Sequence, residues 1–191
     1  MTYQLRAGRF LMGENSRRYT MVRTSVLALA TIAGAAVCAV AVPSRADASV
    51  APCGNSALRV TASQTDGATG HGNLVLRFKN RTTHSCSLYG YPGLDALNGS
   101  GHVIAHARRT LSGFTGGSRH GLRTIVVKPG HYASADVEWL NFHPVTGKSC
   151  RFSKSIAATP AGTSHTVRFA RSVSVCNLQV HPTVAGRTGN G

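Results

Sequence analysis

Between residues 74 and 79 the chain reads Leu-Val-Leu-Arg-Phe-Lys. Leu74, Leu76 and Phe78 fall on one side of an extended backbone and Val75, Arg77 and Lys79 on the other, the period-two signature of a strand with one face in a core and one toward solvent. The pattern recurs along the chain. Leu58, Val60 and Ala62 alternate with Arg59 and Thr61, and Ala133, Ala135, Val137 and Trp139 alternate with Tyr132, Ser134, Asp136 and Glu138. Trp139 is the best core anchor in the sequence. Turn chemistry separates the runs: Asp66-Gly67, Gly70-His71-Gly72, Asn98-Gly99-Ser100-Gly101, Pro129-Gly130 and Pro160-Ala161-Gly162. No stretch beyond residue 48 carries helical periodicity. About nine short strands divided by turns predict an all-β fold, an antiparallel two-sheet immunoglobulin-like β-sandwich.

Cysteine placement and the N-terminus bear on the compartment. Val26 to Val42 is an apolar run with a basic flank before it and the small-x-small triplet Ala46-Asp47-Ala48 after it, so residues 1–48 read as a signal peptide or export segment cleaved before Ser49. Ser16-Arg17-Arg18 resembles a twin-arginine signal, with Thr20 and Met21 where an aromatic residue and leucine are expected; the general and twin-arginine routes both stay open. Setting aside Cys38 inside the apolar run leaves Cys53, Cys86, Cys150 and Cys176, an even number in an exported chain and hence two disulfides. Their dispersal, with no Cys-x-x-Cys pair, disfavours zinc. A hairpin return of the strand at 74–79 onto the strand at 58–62 brings Cys53 and Cys86 to one end, and adjacent strands do the same for Cys150 and Cys176. The expected pairs are Cys53–Cys86 and Cys150–Cys176. The folded domain is expected over 49–182, and the Gly- and Arg-rich residues 183–191 read as a flexible tail.

Charge supplies the functional signal. The 191 residues hold 21 Lys and Arg against 6 Asp and Glu, a formal +15. Loss of residues 1–48 removes six arginines with Glu14 and Asp47, a net four of those charges, and leaves +11. Such an imbalance points to polyanionic surroundings or partners. Arg77, Lys79 and Arg81 share a strand face and its turn, while Arg108, Arg109, Arg119 and Arg123 bracket the Gly-rich stretch Thr110–Gly121, expected to be a flexible loop. Together they are the candidate polyanion-binding residues. No aromatic residue is interleaved to stack bases, so specific nucleic-acid recognition is not expected.

Catalytic and cofactor chemistry find little support. Gly116-Gly117-Ser118-Arg119-His120 lacks the closing glycine and strand-to-helix setting of a nucleophile elbow. The acids beyond residue 48 are Asp66, Asp95, Asp136 and Glu138; a glycosidase needs two facing carboxylates, whereas Asp136 and Glu138 lie side by side on one strand and read as a solvated face. His102 and His106 share a strand face about 13 Å apart, too far for one metal ion. Phosphate loops and dinucleotide fingerprints are absent. No catalytic residue, cofactor, metal site or membrane span after processing is expected. The reading is a secreted, non-catalytic domain of the envelope or extracellular space that binds anionic envelope polymers or an extracellular protein; the alternative is a secreted hydrolase with a site not recognisable from sequence.

Asn80, the Thr-rich turn after it and Cys86-Ser-Leu-Tyr-Gly-Tyr-Pro-Gly resemble the signature of the domain of unknown function 4232 family. The resemblance runs from Cys53 through Pro129-Gly130 and Cys150 to the Cys176 strand ending at Pro182. It implies a secreted or surface-anchored actinobacterial protein and supplies no catalytic residue. Unlike many members, this chain has Val37 before Cys38 where a lipobox wants a small residue, and its charge is high, which argues against a lipid anchor.

Overall fold

The computed structural model describes residues 49–115 and 121–190. The export segment expected over 1–48, and Arg119 within the Gly-rich stretch, lie outside the described residues. Twelve strands follow in order: β1 (Leu58–Ala62), β2 (His71–Asn80), β3 (Cys86–Tyr89), β4 (Gly93–Leu97), β5 (Val103–His106), β6 (Arg108–Arg109), β7 (Thr124–Val127), β8 (Tyr132–Leu140), β9 (Ser155–Thr159), β10 (Val167–Phe169), β11 (Cys176–Val180) and β12 (Val184–Ala185). The domain is all-β, with no helix among the described residues.

Three sheets form where two were expected. The largest runs β1-β2-β8-β11-β6 with β12 also on β8; the second runs β10-β9-β4-β5; the third is β3 with β7. Strand pairing is antiparallel except where β6 joins β11 in parallel. Short strands broken by Gly and Pro corners explain the extra sheet, since Gly90-Tyr-Pro-Gly93 turns the chain out of β3 and into β4, whose partners are β5 and β9.

The central ladder is β2 on β8, nine residues in unbroken register from His71↔Leu140 to Lys79↔Tyr132. One face carries Leu74, Leu76, Phe78, Ala133, Ala135, Val137 and Trp139, all buried, so the alternation expected from sequence holds on that side. These side chains join Leu94, Ala96, Ile156 and Ala158 from the second sheet and Leu88, Ile125 and Val127 from the third in a single core. Burying a Leu- or Phe-sized side chain is worth about 1.5–3 kcal/mol, so this shared cluster is the main source of stability. Gly72 faces Trp139 across the ladder, and a Cβ there would overlap the indole.

The disulfides staple the two ends of this ladder. Cys53 bonds Cys86 at 2.06 Å beside the end of β2, and Cys150 bonds Cys176 at 2.03 Å where Cys176 pairs with Leu140.

Residues from Thr183 onward correct the tail expectation. Val184 and Ala185 pair with Ser134 and Ala133, Thr183 and Val184 are buried, and the Gly189 amide donates to the Ser134 hydroxyl at 3.0 Å. Glycines that read as fraying in sequence let the chain lie flat: a Cβ at Gly189 would sit 3.0 Å from the backbone nitrogen of Asp136.

Candidate functional site

Register places the basic residues of β1 and β2 side by side. Arg59 pairs with Lys79, which pairs with Tyr132; Thr61 pairs with Arg77, which pairs with Ser134. Because successive side chains alternate faces, this brings Arg59, Arg77, Lys79 and Tyr132 onto the outer surface of three adjacent strands. The C-terminal segment adds Arg187. Its guanidinium lies 4.3 Å from the centre of the Tyr132 ring, Lys79 Nζ lies 5.6 Å from the same centre, and Arg77 Nε donates to the Arg187 carbonyl at 2.9 Å. Two cations over one ring are held by its negative face.

These residues line an open groove of about 280 Å³, and a neighbouring depression of about 360 Å³ shares Arg59 and Lys79 and adds Arg81. No carboxylate lines either one. Among the described residues both ion pairs use histidine, His106 with Asp95 and His181 with Glu138, so no described arginine or lysine is neutralised by a carboxylate at contact distance. Tyr132 supplies an aromatic surface within the basic patch, which the sequence reading missed because Tyr132 is fifty-odd residues from Lys79 in the chain.

The other basic candidates go elsewhere. Arg108 and Arg109 form β6, on the opposite edge of the sheet from β1. Arg108 donates from one guanidinium nitrogen to Gln179 Oε1 at 3.0 Å and Asn177 Oδ1 at 3.2 Å, which ties it to β11 while the side chain stays exposed. Arg123 precedes β7 in the two-stranded sheet. The expected single basic surface is thus divided, because strand order separates residues that only loop length seemed to join.

Asp136 and Glu138 are not a solvated face: they are 1% and 0% exposed. Glu138 accepts from the amides of Phe114 and Thr115 at 2.8 Å, from Gln179 Nε2 at 2.8 Å and bonds His181 Nε2 at 2.9 Å. Thr115 Oγ1 lies 2.6 Å from Asp136 Oδ2 and 2.8 Å from Glu138 Oε2. A hydroxyl has one proton, so only one of these contacts can be a donation by threonine; the other needs a protonated carboxyl. Burial pushes Asp136 up, against the Thr115 bond and His181, which favours it as that donor. Burial would also raise Glu138, but the bonds from His181 and Thr115 outweigh it and bring it down to about 2. Burial works against a charged His181, yet its bond to Glu138 outweighs that and raises it.

This network corrects the expectation for Thr110–Gly121 over its described part, since residues 114 and 115 are fastened to the sheet. Gly113 permits the approach, for a Cβ there would collide with the Glu138 carboxylate. An Asp-x-Glu pair alternating with apolar residues looks the same in sequence whether water or another segment covers it.

Among the described residues no three His, Cys, Asp or Glu side chains converge as metal ligands, and no helix is long and apolar enough to cross a membrane. The model of a family described as a domain of unknown function (DUF4232) matches residues 53–188. No curated protein matches the chain.

Proposed function

Because the chain belongs to the DUF4232 family, to which no activity is attached, we propose that it is an exported, non-catalytic domain that binds anionic polymers through the groove of Arg59, Arg77, Lys79 and Arg187. The observation that carries this reading is the unneutralised cluster itself, four cations about Tyr132 with no carboxylate in the lining. Export is supported by the two disulfides, which belong to chains that mature outside a reducing cytoplasm. The scaffold is an immunoglobulin-like sandwich in this reading, supported by the one core that β2 and β8 share with β4 and β9.

A polymer of repeated phosphates or sulfates suits the geometry. The cations are spread along two adjoining hollows rather than converging on one point, and neither lining carries a second recognition chemistry beyond Thr61, Asn80, Thr82 and Tyr132. Affinity then comes largely from release of condensed counterions, so binding falls steeply with salt and shows negligible sequence preference. The secreted hydrolase has less support, since Asp136 and Glu138 are enclosed as hydrogen-bond partners of Thr115, Gln179 and His181.

Heparin affinity chromatography over a salt gradient tests the proposal. The protein should elute well above physiological salt, and Arg77→Ser/Lys79→Ser/Arg81→Ser should elute earlier. On duplex DNA the log–log salt slope should drop by about one for each contact removed. Retention insensitive to salt, or unchanged in the triple variant, would make the charge a solubility feature and end this reading.

A further inference from the structure

The turn between β1 and β2 separates two further grooves. On one side Asp66, His71, Trp139, Asn141, Phe152 and Ser172 line a hollow of about 530 Å³. On the other, Phe114, Thr115 and Asn73 face the same turn across about 360 Å³. Both volumes fall in the range of small-molecule sites. Neither lining contains a lysine or arginine, in a chain that keeps +11 after residue 48.

Three features set this turn apart. The exposed phenylalanines among the described residues all gather here: Phe152 at 44% in the first groove, Phe114 at 43% in the second, and Phe142 at 50% against Gly70. Thr69 holds φ +54°, a conformation costly for a β-branched residue and one that concentrates at functional sites. His71, whose ring packs on Phe114 with centroids 4.5 Å apart, keeps a buried Nδ1 without a hydrogen-bond partner among the described residues. A buried polar atom of that kind costs free energy until something bonds it.

We infer that the groove of Asp66, Asn141 and Phe152 is a binding site for a neutral carbohydrate. A sugar offers apolar C–H faces that pack on an aromatic ring, and hydroxyls that both donate and accept. The groove matches both properties. Asp66 uses Oδ1 to accept from the Gly67 amide, which leaves Oδ2 as an acceptor; Asn141 uses Oδ1 to accept from Trp139 Nε1, which leaves its NH₂ to donate. Ser172 donates to the Ser153 carbonyl and keeps its lone pairs. Asp66 repels anions, and with no cation in the lining to offset it, an anionic polymer belongs in the basic groove instead. This site is independent of that groove, from which it is separated by the length of β2.

Trp139, the sole tryptophan, lies beneath the hollow with its Nε1 bonded to Asn141, so its fluorescence reports on occupancy. The full mature chain would be titrated with neutral cello-, malto- and chito-oligosaccharides, following Trp139 emission and heat, at low salt and in about 1 M NaCl, where exposed charges are screened. At least one probe should give a saturable change whose Kd shifts less than about twofold with salt. Phe152→Ala should weaken it about tenfold, Phe152→Tyr should retain it, and Asp66→Asn, which keeps the oxygen that caps Gly67, should weaken it several-fold. The Arg77→Ser/Lys79→Ser/Arg81→Ser variant should bind the sugar normally, so the two sites stand or fall separately. No binding of any probe at millimolar concentration overturns the inference. So does wild-type affinity in both Asp66→Asn and Phe152→Ala, or in Asp66→Asn alone if Phe152→Ala does not fold.

Discussion

The two ends of the β2–β8 ladder, roughly 26 Å apart at the strand rise, use the same pair of strands for opposite surfaces. At the Lys79–Tyr132 end the outer face is a basic groove stapled by Cys53–Cys86; at the His71–Leu140 end lies a cation-free groove lined by Trp139 and Phe152 and stapled near Cys150–Cys176. The cations set the difference, and the acids sharpen it. Of the four carboxylates after residue 48, Asp66 sits at the neutral end, Asp136 and Glu138 are sealed midway along β8, and Asp95 pairs with His106 on another sheet. None reaches the basic end. Local charge character here follows from where register gathers the cations and from where the few acids are kept away.

The sealed carboxylates between the two ends give the strongest way to break that comparison. Glu138→Ala strands the Phe114 and Thr115 amides, Gln179 and His181 at once and should cost about 3–5 kcal/mol in urea denaturation. The damage should fall on the neutral end, whose second groove is walled by Phe114 and Thr115, while heparin retention survives wherever the variant is folded.

Replacing either disulfide with a serine pair should cost about 3–4 kcal/mol in the chain-entropy model, the loops spanning 33 and 26 residues. Amide exchange should then sharpen the contrast. Loss of Cys53–Cys86 should speed exchange at residues 52–57, and loss of Cys150–Cys176 at residues 141–150, each leaving the opposite end protected. Acceleration at both ends in either variant would mean that the ladder opens as one unit.

The effect of pH should be smaller, about 1–3 kcal/mol. Glu138 is depressed, so its contribution is complete above about pH 4.5 and lost as pH falls toward about 2. His181 is raised, so its contribution is complete below the ordinary histidine value near 6.5 and lost as pH climbs through the raised value; Asp136, also raised, adds a loss in the same direction. Stability should therefore be greatest at about pH 4 to 4.5, where Glu138 is already ionised and Asp136 begins to lose its proton, and decline at higher pH, and Glu138→Gln should flatten the acid limb. A denaturation midpoint that rises steadily from pH 5 to 9 would contradict these signs.

The smallest expected effect concerns the basic end, where Arg77→Ser, Lys79→Ser and Arg81→Ser should each change stability by less than about 0.5 kcal/mol while altering polyanion binding. A large loss of stability would show that these side chains hold the C-terminal segment through Arg187 and Tyr132 rather than serving a ligand.

Much of the scaffold was legible in the sequence. Alternation at Leu74–Phe78 and Ala133–Trp139 identifies the two central strands because side-chain direction in a strand is set residue by residue, and the hairpins β1–β2 and β4–β5 follow from Gly-rich turns between matched runs. The cysteine pairing follows in turn, since a hairpin fixes which of its flanks lie together. Tertiary structure alone decided what covers the outer face: that Thr115 and Gly189 roof Asp136, that Arg187 joins Tyr132, that Arg108 turns to Gln179, and that residues from 183 pair with β8. Alternation says only that two faces differ; whether the polar one meets water or another segment depends on contacts between residues distant in the chain, and these leave no local period to read.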